Sequence, residues 1–104
     1  MPGTVFAVIR TRGPRWNDGQ PLEGQEDWRG HADYMNRLVD DGFMLLGGPL
    51  KGTRDVPLIV RAGSVQEVET RLAAYCWSVK DLLRTLQITP WELRLGTVGP
   101  IPGP

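Results

Sequence analysis

The chain has 104 residues, with 12 basic side chains against 12 acidic, one histidine and one cysteine. That length holds a single domain with a modest core, and zero net charge leaves no basic footprint for nucleic acid or an anionic membrane. A lone Cys76 excludes an internal disulfide and fits a reducing, cytoplasmic setting, and no stretch approaches the ~20 apolar residues of a membrane span.

The N-terminal "MPGTVFAVIRTRG" lacks a basic leader region, and its apolar run is short. It is expected to be a strand, not a signal peptide. In "TVFAVIR" (Thr4 to Arg10), Val5, Ala7 and Ile9 alternate with Phe6 and Val8, so both faces are apolar and both need cover. The segment from Arg12 to Gln25 is a long loop rich in Gly, Pro, Asn and Asp, with Trp16 at its middle. "EDWRGHADYMNRLVDDG" (Glu26 to Gly42) carries Trp28, Ala32, Met35, Leu38 and Val39 at helical spacing, with Arg29, Asp33, Arg37 and Asp40 opposite. Glu26 and Asp27 are expected in the first turn, and Gly42 supplies the stop. His31 falls inside the apolar stripe, so this helix aims it at the body of the protein.

A second strand is expected over Phe43 to Leu50, then a polar hairpin turn, then a third strand in "VPLIVRAG". Ser64 and Glu67 have capping-box spacing and open a helix whose inner face is Val65, Val68, Leu72 and Tyr75. Ser78 is expected to cap a further short helix with Val79, Leu82, Leu83 and Leu86 inward. The last strand is expected at Ile88 to Leu95, with Pro90 marking an edge or a bulge. Residues 97–104 read as a Gly/Pro-rich tail after a domain at 1–96. The order β-α-β-β-α-β is that of an α+β, ferredoxin-like domain, a four-stranded antiparallel sheet with helices on one face. The bare apolar face then calls for a second subunit packed sheet to sheet.

Several chemistries lack their residues. "GGPLKG" has neither P-loop spacing nor a following helix, and no dinucleotide fingerprint follows the first strand. One His and one Cys, 45 positions apart, do not make a usual zinc site, and Asp40-Asp41 reads as a solvated helix end, so no metal is expected. Cys76 follows Tyr75 in an apolar segment and reads as a small packed residue, not a nucleophile. Trp16, Trp28, Trp77 and Trp91 are each core candidates, and some could wall a pocket for a ring-shaped ligand. Trp16, in a polar loop, is hardest to explain as core. His31 can exchange protons near neutral pH, although a lone His on an apolar face is more commonly structural.

"GHADYMNRLVDDGFMLLGGPL" and "AAYCWSVKDLLRTLQITPWELRLG", together with the Gly-Pro-x-Trp of "RTRGPRW", resemble the YCII-related domain of the dimeric α/β-barrel superfamily. The likeness spans Val5 to Gly96. It implies ferredoxin-like protomers paired sheet to sheet into a dimeric α/β barrel and a pocket at the family histidine, which falls on His31. Relatives include a cofactor-free dehydrochlorinase; more distant members are isomerases, monooxygenases and haem enzymes. The family pairs its His with an Asp where this chain has Tyr75, and Cys76 stands where Pro is expected; Asp81 is too far along to substitute well.

The expectation is therefore a cofactor-independent isomerase, lyase or cyclase acting on a small cyclic or aromatic oxygenated molecule. His31 would be the general acid/base. Tyr75 would be its hydrogen-bond partner or a second acid. Trp16, Trp28 and Trp77 would wall the pocket, and Arg10 or Arg12 would hold an anionic group. The loop from Arg12 to Gln25 would fold over the pocket with Trp16 as anchor, contributing to binding far more than to stability. The alternatives are a non-catalytic module that binds a ligand or partner, and a cofactor-free monooxygenase.

Overall fold

A computed structural model describes residues 3–96; the Gly/Pro tail at 97–104 lies outside them. The elements are β1 (Thr4–Arg12), a 3-10 turn (Leu22–Gly24), α1 (Trp28–Asp40), β2 (Met44–Gly47), β3 (Asp55–Ala62), α2 (Val65–Ala73), α3 (Cys76–Val79) and β4 (Leu83–Pro90). The strands form one antiparallel sheet in the order β2-β3-β1-β4. The first and third strands lie at the centre, which is compatible with a ferredoxin-like α+β arrangement.

Period-two alternation sets the two faces of the sheet. Phe6, Val8 and Arg10 of β1 and Leu58, Val60 and Ala62 of β3 are buried. The first two pack with Leu58, Val60, Ala62, Met44, Leu38, Phe43, Val68 and Leu72 into the main core. On the opposite face Val5, Ala7 and Ile9 stand across from Arg61, Ile59 and Pro57. These six residues are only half-buried.

Helix boundaries follow local chemistry. Asp27 precedes α1 in the left-handed region (φ 57) and its side chain caps nothing; it stands before the helix, not in its first turn. Gly42 (φ 79) ends α1. Its N–H reaches Val39 O at 3.0 Å, and the Phe43 N–H reaches Leu38 O at 3.0 Å, the paired bonds of a Schellman stop. At α2, Ser64 Oγ accepts the Glu67 N–H (3.1 Å), and Glu67 Oε1 accepts the Gly63 N–H (2.8 Å). The expected cap forms, with the carboxylate reaching one residue further back.

The C-terminal third differs from the sequence expectation. The short helix begins after Tyr75, not at Ser78, and lasts one turn. Asp81 (φ 65) then takes the place glycine has after α1: Asp81 N–H donates to Ser78 O and Leu82 N–H to Trp77 O. Asp tolerates this conformation better than most residues. The chain is thereby released into β4 at Leu83, five residues before the expected strand. Val79 and Leu86 are 72% and 63% exposed, not inward. Leu86 falls where the β1–β4 register shifts, between the pairs Ile9–Gln87 and Arg10–Thr85, so it is the extra residue of a bulge. Pro90 closes β4, and residues 91–95 are not strand.

Candidate functional site

A second cluster, Trp16, Tyr75, Trp77, Leu82 and Leu83, lies beside the main core. Trp77 is its centre and is fully buried. Its indole N–H donates to Glu26 O (2.6 Å), while Lys80 reaches Glu26 Oε2 (3.3 Å) and Asp27 Oδ2 (3.7 Å). The start of α1 is thus fastened to α3.

His31 lies flat on Trp77, with ring centroids 3.7 Å apart and planes 11° apart. Trp28 is tilted at 5.6 Å from His31 and 6.1 Å from Trp77. Trp16 meets Trp77 edge-on at 5.4 Å. Side chains from the loop (Trp16) and from α1 (Trp28 and His31) therefore converge on one indole of α3.

The loop before α1 is held in place by a buried glutamine. Gln25 Nε2 donates to the carbonyls of Asn17 (2.8 Å), Gln20 (3.1 Å) and Pro21 (3.3 Å), and its Oε1 accepts the Asn17 N–H (2.9 Å). At the loop's start a Cβ on Gly13 would run into the Asp81 carbonyl, and the Gly13 N–H donates to Leu82 O at 2.7 Å. Trp16 ends 7% exposed. It is core as well as wall, so against the expectation of a role far more in binding than in stability, its burial stabilises the fold too.

Beside the loop and α1 lies a cavity of about 490 Å³ lined by His31, Trp16, Trp77, Arg12, Met35 and Gly47-Gly48-Pro49, among others. The volume suits a small organic ligand. Of the expected site residues, His31, Arg12, Trp16 and Trp77 line it. Trp28 and Tyr75 are not among its lining residues, and Arg10 lines the separate groove between α2 and β4. Sequence reasoning missed Met35 and the β2 end as walls; the available signals were the place of Met35 one turn after His31 on the α1 stripe and an apolar strand running into Gly-Gly-Pro. A larger, more open groove of about 720 Å³ between α2 and β4 carries charges of both signs and no histidine.

Arg10 is not free to hold a ligand. It is 3% exposed and donates to Thr85 Oγ1 (3.1 Å), the Tyr75 hydroxyl (2.9 Å), Ser78 Oγ (2.6 Å) and Leu83 O (3.3 Å). All four acceptors are neutral. Burial lowers its pKa, and Tyr75 works against that shift. The same contact corrects the role expected of Tyr75. Its hydroxyl accepts from Arg10, its ring stacks on Tyr34 at 5.1 Å, and His31 Nδ1 is buried with no hydrogen-bond partner. Burial raises the Tyr75 pKa, opposed by Arg10. Asp81 is held by Arg84 (Nε–Oδ1 2.6 Å, Nη2–Oδ2 2.7 Å), so no carboxylate orients the imidazole in its place. Burial and the neighbouring Asp27 push the Cys76 thiol up, away from a thiolate.

Burial first, and then the Arg10 charge, lowers the His31 pKa from 6.5 to about 4. The imidazole is neutral at pH 7. Because the unfolded chain takes up this proton at 6.5 and the folded one only near 4, acid favours unfolding across that window. The contribution is complete above pH 6.5 and is lost as pH falls towards 4. The shift sets an upper bound of ~3 kcal/mol, which solvent around the partly exposed ring screens to on the order of 1 kcal/mol. Urea unfolding of the wild type should therefore lose about that much more than His31→Gln between pH 7 and pH 4; parallel pH profiles would contradict a buried neutral His31.

Among the described residues no three His, Cys, Asp or Glu side chains gather as a metal site, and no helix is long and apolar enough to cross a membrane. Comparison with known proteins gives no match to a family model, a curated protein or a solved structure.

Proposed function

We propose that the cavity is the active site of a cofactor-independent enzyme that moves a proton on a small cyclic or aromatic oxygenated molecule, with His31 as the general acid/base. The observation that carries this reading is a neutral imidazole at the wall of an otherwise apolar cavity, with two guanidinium groups nearby. A C–H proton beside a carbonyl would pass to the imidazole, and its electron pair would move onto the carbonyl oxygen. Arg12 at the wall, and Arg10 two residues earlier on β1, would stabilise the enolate. Return of the proton at another carbon gives isomerisation; departure of a leaving group gives elimination. A base with a pKa near 4 is weak, but its conjugate acid returns the proton readily, and a nascent enolate would raise the pKa as the proton arrives.

The YCII-like resemblance fits this reading, as does the fold order. It also supports a homodimer packed through the bare sheet face, where Val5, Ala7, Ile9, Pro57 and Ile59 form an apolar centre. Light scattering at micromolar concentration should give the mass of two chains; a monomer mass would remove the paired barrel. One observation favours the rival reading of a non-catalytic binding module. His31 Nδ1 has no orienting partner, whereas catalytic histidines are normally oriented by a neighbour.

The decisive experiment is proton exchange in D₂O. Cyclic ketones, lactones and hydroxylated arenes are incubated with the protein, and NMR follows C–H to C–D replacement. Catalysed exchange with at least one class is expected. Saturable binding of these compounds without exchange would leave only the binding module.

A further inference from the structure

The cavity is strongly asymmetric in charge. Among its lining residues Arg12 alone is charged at neutral pH, and none is Asp or Glu. Among the described residues no carboxylate forms an ion pair with Arg12. Its Nε is buried with no hydrogen-bond partner. Its guanidinium carbon lies 4.6 Å from the Trp16 ring centroid, a contact that leaves its N–H groups to other partners. Arg10, two residues earlier on β1, lines the neighbouring groove and meets only neutral acceptors, so no carboxylate cancels its charge. The rest of the wall is aromatic or aliphatic.

An unpaired guanidinium beside aromatic walls calls for one kind of complement, an oxyanion carried by a flat apolar body. We infer that the ligand of this cavity is a ring-sized organic monoanion, a carboxylate or a phenolate, with its negative oxygen on Arg12 and its ring against Trp16 and Trp77. The inference rests on the cavity being the ligand site, and it adds the charge and shape of what enters. A dianion would leave one charge unpaired in an apolar space, and a cation would face Arg12 with no counter-charge. Because Arg12 is the one charged lining residue, discrimination between charged and neutral ligands at pH 7 belongs to it.

The test is a charge series on the unmodified protein by calorimetry or NMR titration, at pH 7 and low salt. Benzoate, benzamide and benzylammonium share one ring and differ in charge; 4-nitrophenolate against nitrobenzene adds the phenolate arm. Benzoate or 4-nitrophenolate should bind at least about tenfold tighter than its neutral counterpart, a difference of about 1.4 kcal/mol, with benzylammonium weakest. Whichever anion shows the preference identifies the oxygen class. Arg12→Met should bring the anion-to-neutral ratio within about twofold, and Arg12→Lys should keep part of it. Equal binding of anion and neutral ring, strongest binding of the cation, or no binding of any probe at millimolar concentration would overturn the inference. So would an Arg12→Met protein that keeps the preference. If that variant does not fold, the series on the unmodified protein decides. Anion preference without C–H exchange leaves this inference and ends the catalytic reading; exchange without anion preference does the reverse.

Discussion

Replacing His31 with glutamine is expected to lower the rate of C–H exchange by on the order of 10²–10⁴ while leaving the fold intact. Gln has similar length and can lie flat on the Trp77 ring, so much of the 3.7 Å stack can be kept. It can donate and accept hydrogen bonds but cannot hold a proton near neutrality. Turnover and the urea midpoint must be measured on the same preparation. A structural His31 predicts the opposite pattern, in which stability drops and exchange falls only in proportion to folded protein. Wild-type exchange per folded molecule would end the role of His31 as the base. Electrostatics sharpen the experiment, because Arg10 helps keep the imidazole neutral. On the proposed reading the imidazole holds the form a base needs across the neutral range, and exchange should weaken only as pH falls towards 4.

The largest stability effect is expected at Trp77. It is the largest of the fully buried side chains, and it touches Trp16, Trp28 and His31 while its N–H holds Glu26 O. Trp77→Ala should cost about 3–5 kcal/mol, a large share of the ~5–15 kcal/mol typical of a domain. Three ring contacts and the bond that fastens the start of α1 go together. Trp77→Phe keeps an aromatic face and should lose less, about 1–3 kcal/mol, chiefly through the unpaired carbonyl and the missing second ring. Denaturant midpoints of both variants check the order. An alanine variant within about 1 kcal/mol of wild type would mean that the cluster is not a second core.

Where local chemistry repeats, the sequence was legible. The α1 stripe ends at a glycine that makes the expected stop, and β1 and β3 alternate as written. Arg10 shares the parity of Phe6 and Val8, so its burial was readable from the strand, although its partner Tyr75, 65 positions away, was not. The misreading at β4 has a definite cause. Val79, Leu82, Leu83 and Leu86 imitate a helical stripe, but one residue in the left-handed region at Asp81 ends α3 and a bulge discards Leu86 to solvent. Trp16 was obscured because a Gly/Pro/Asn/Asp loop reads as solvent-exposed, and nothing in that composition shows that Gln25 gathers it. Four of the expected site residues do line one cavity. The space itself is a tertiary property, walled by the loop, α1, α3 and the end of β2 together.

The Gln25 bonds have a thermodynamic consequence. A loop that must order around its ligand loses conformational freedom at the moment of association, and that loss subtracts from affinity. Here three carbonyls and one amide of the loop are already tied to one buried side chain, and Trp16 already rests on Trp77. The entropy of ordering this wall belongs to folding. Association is left with little to immobilise beyond the ligand itself, so the cavity is preorganised for rigid, small molecules and gains little from ones that need the wall to reshape.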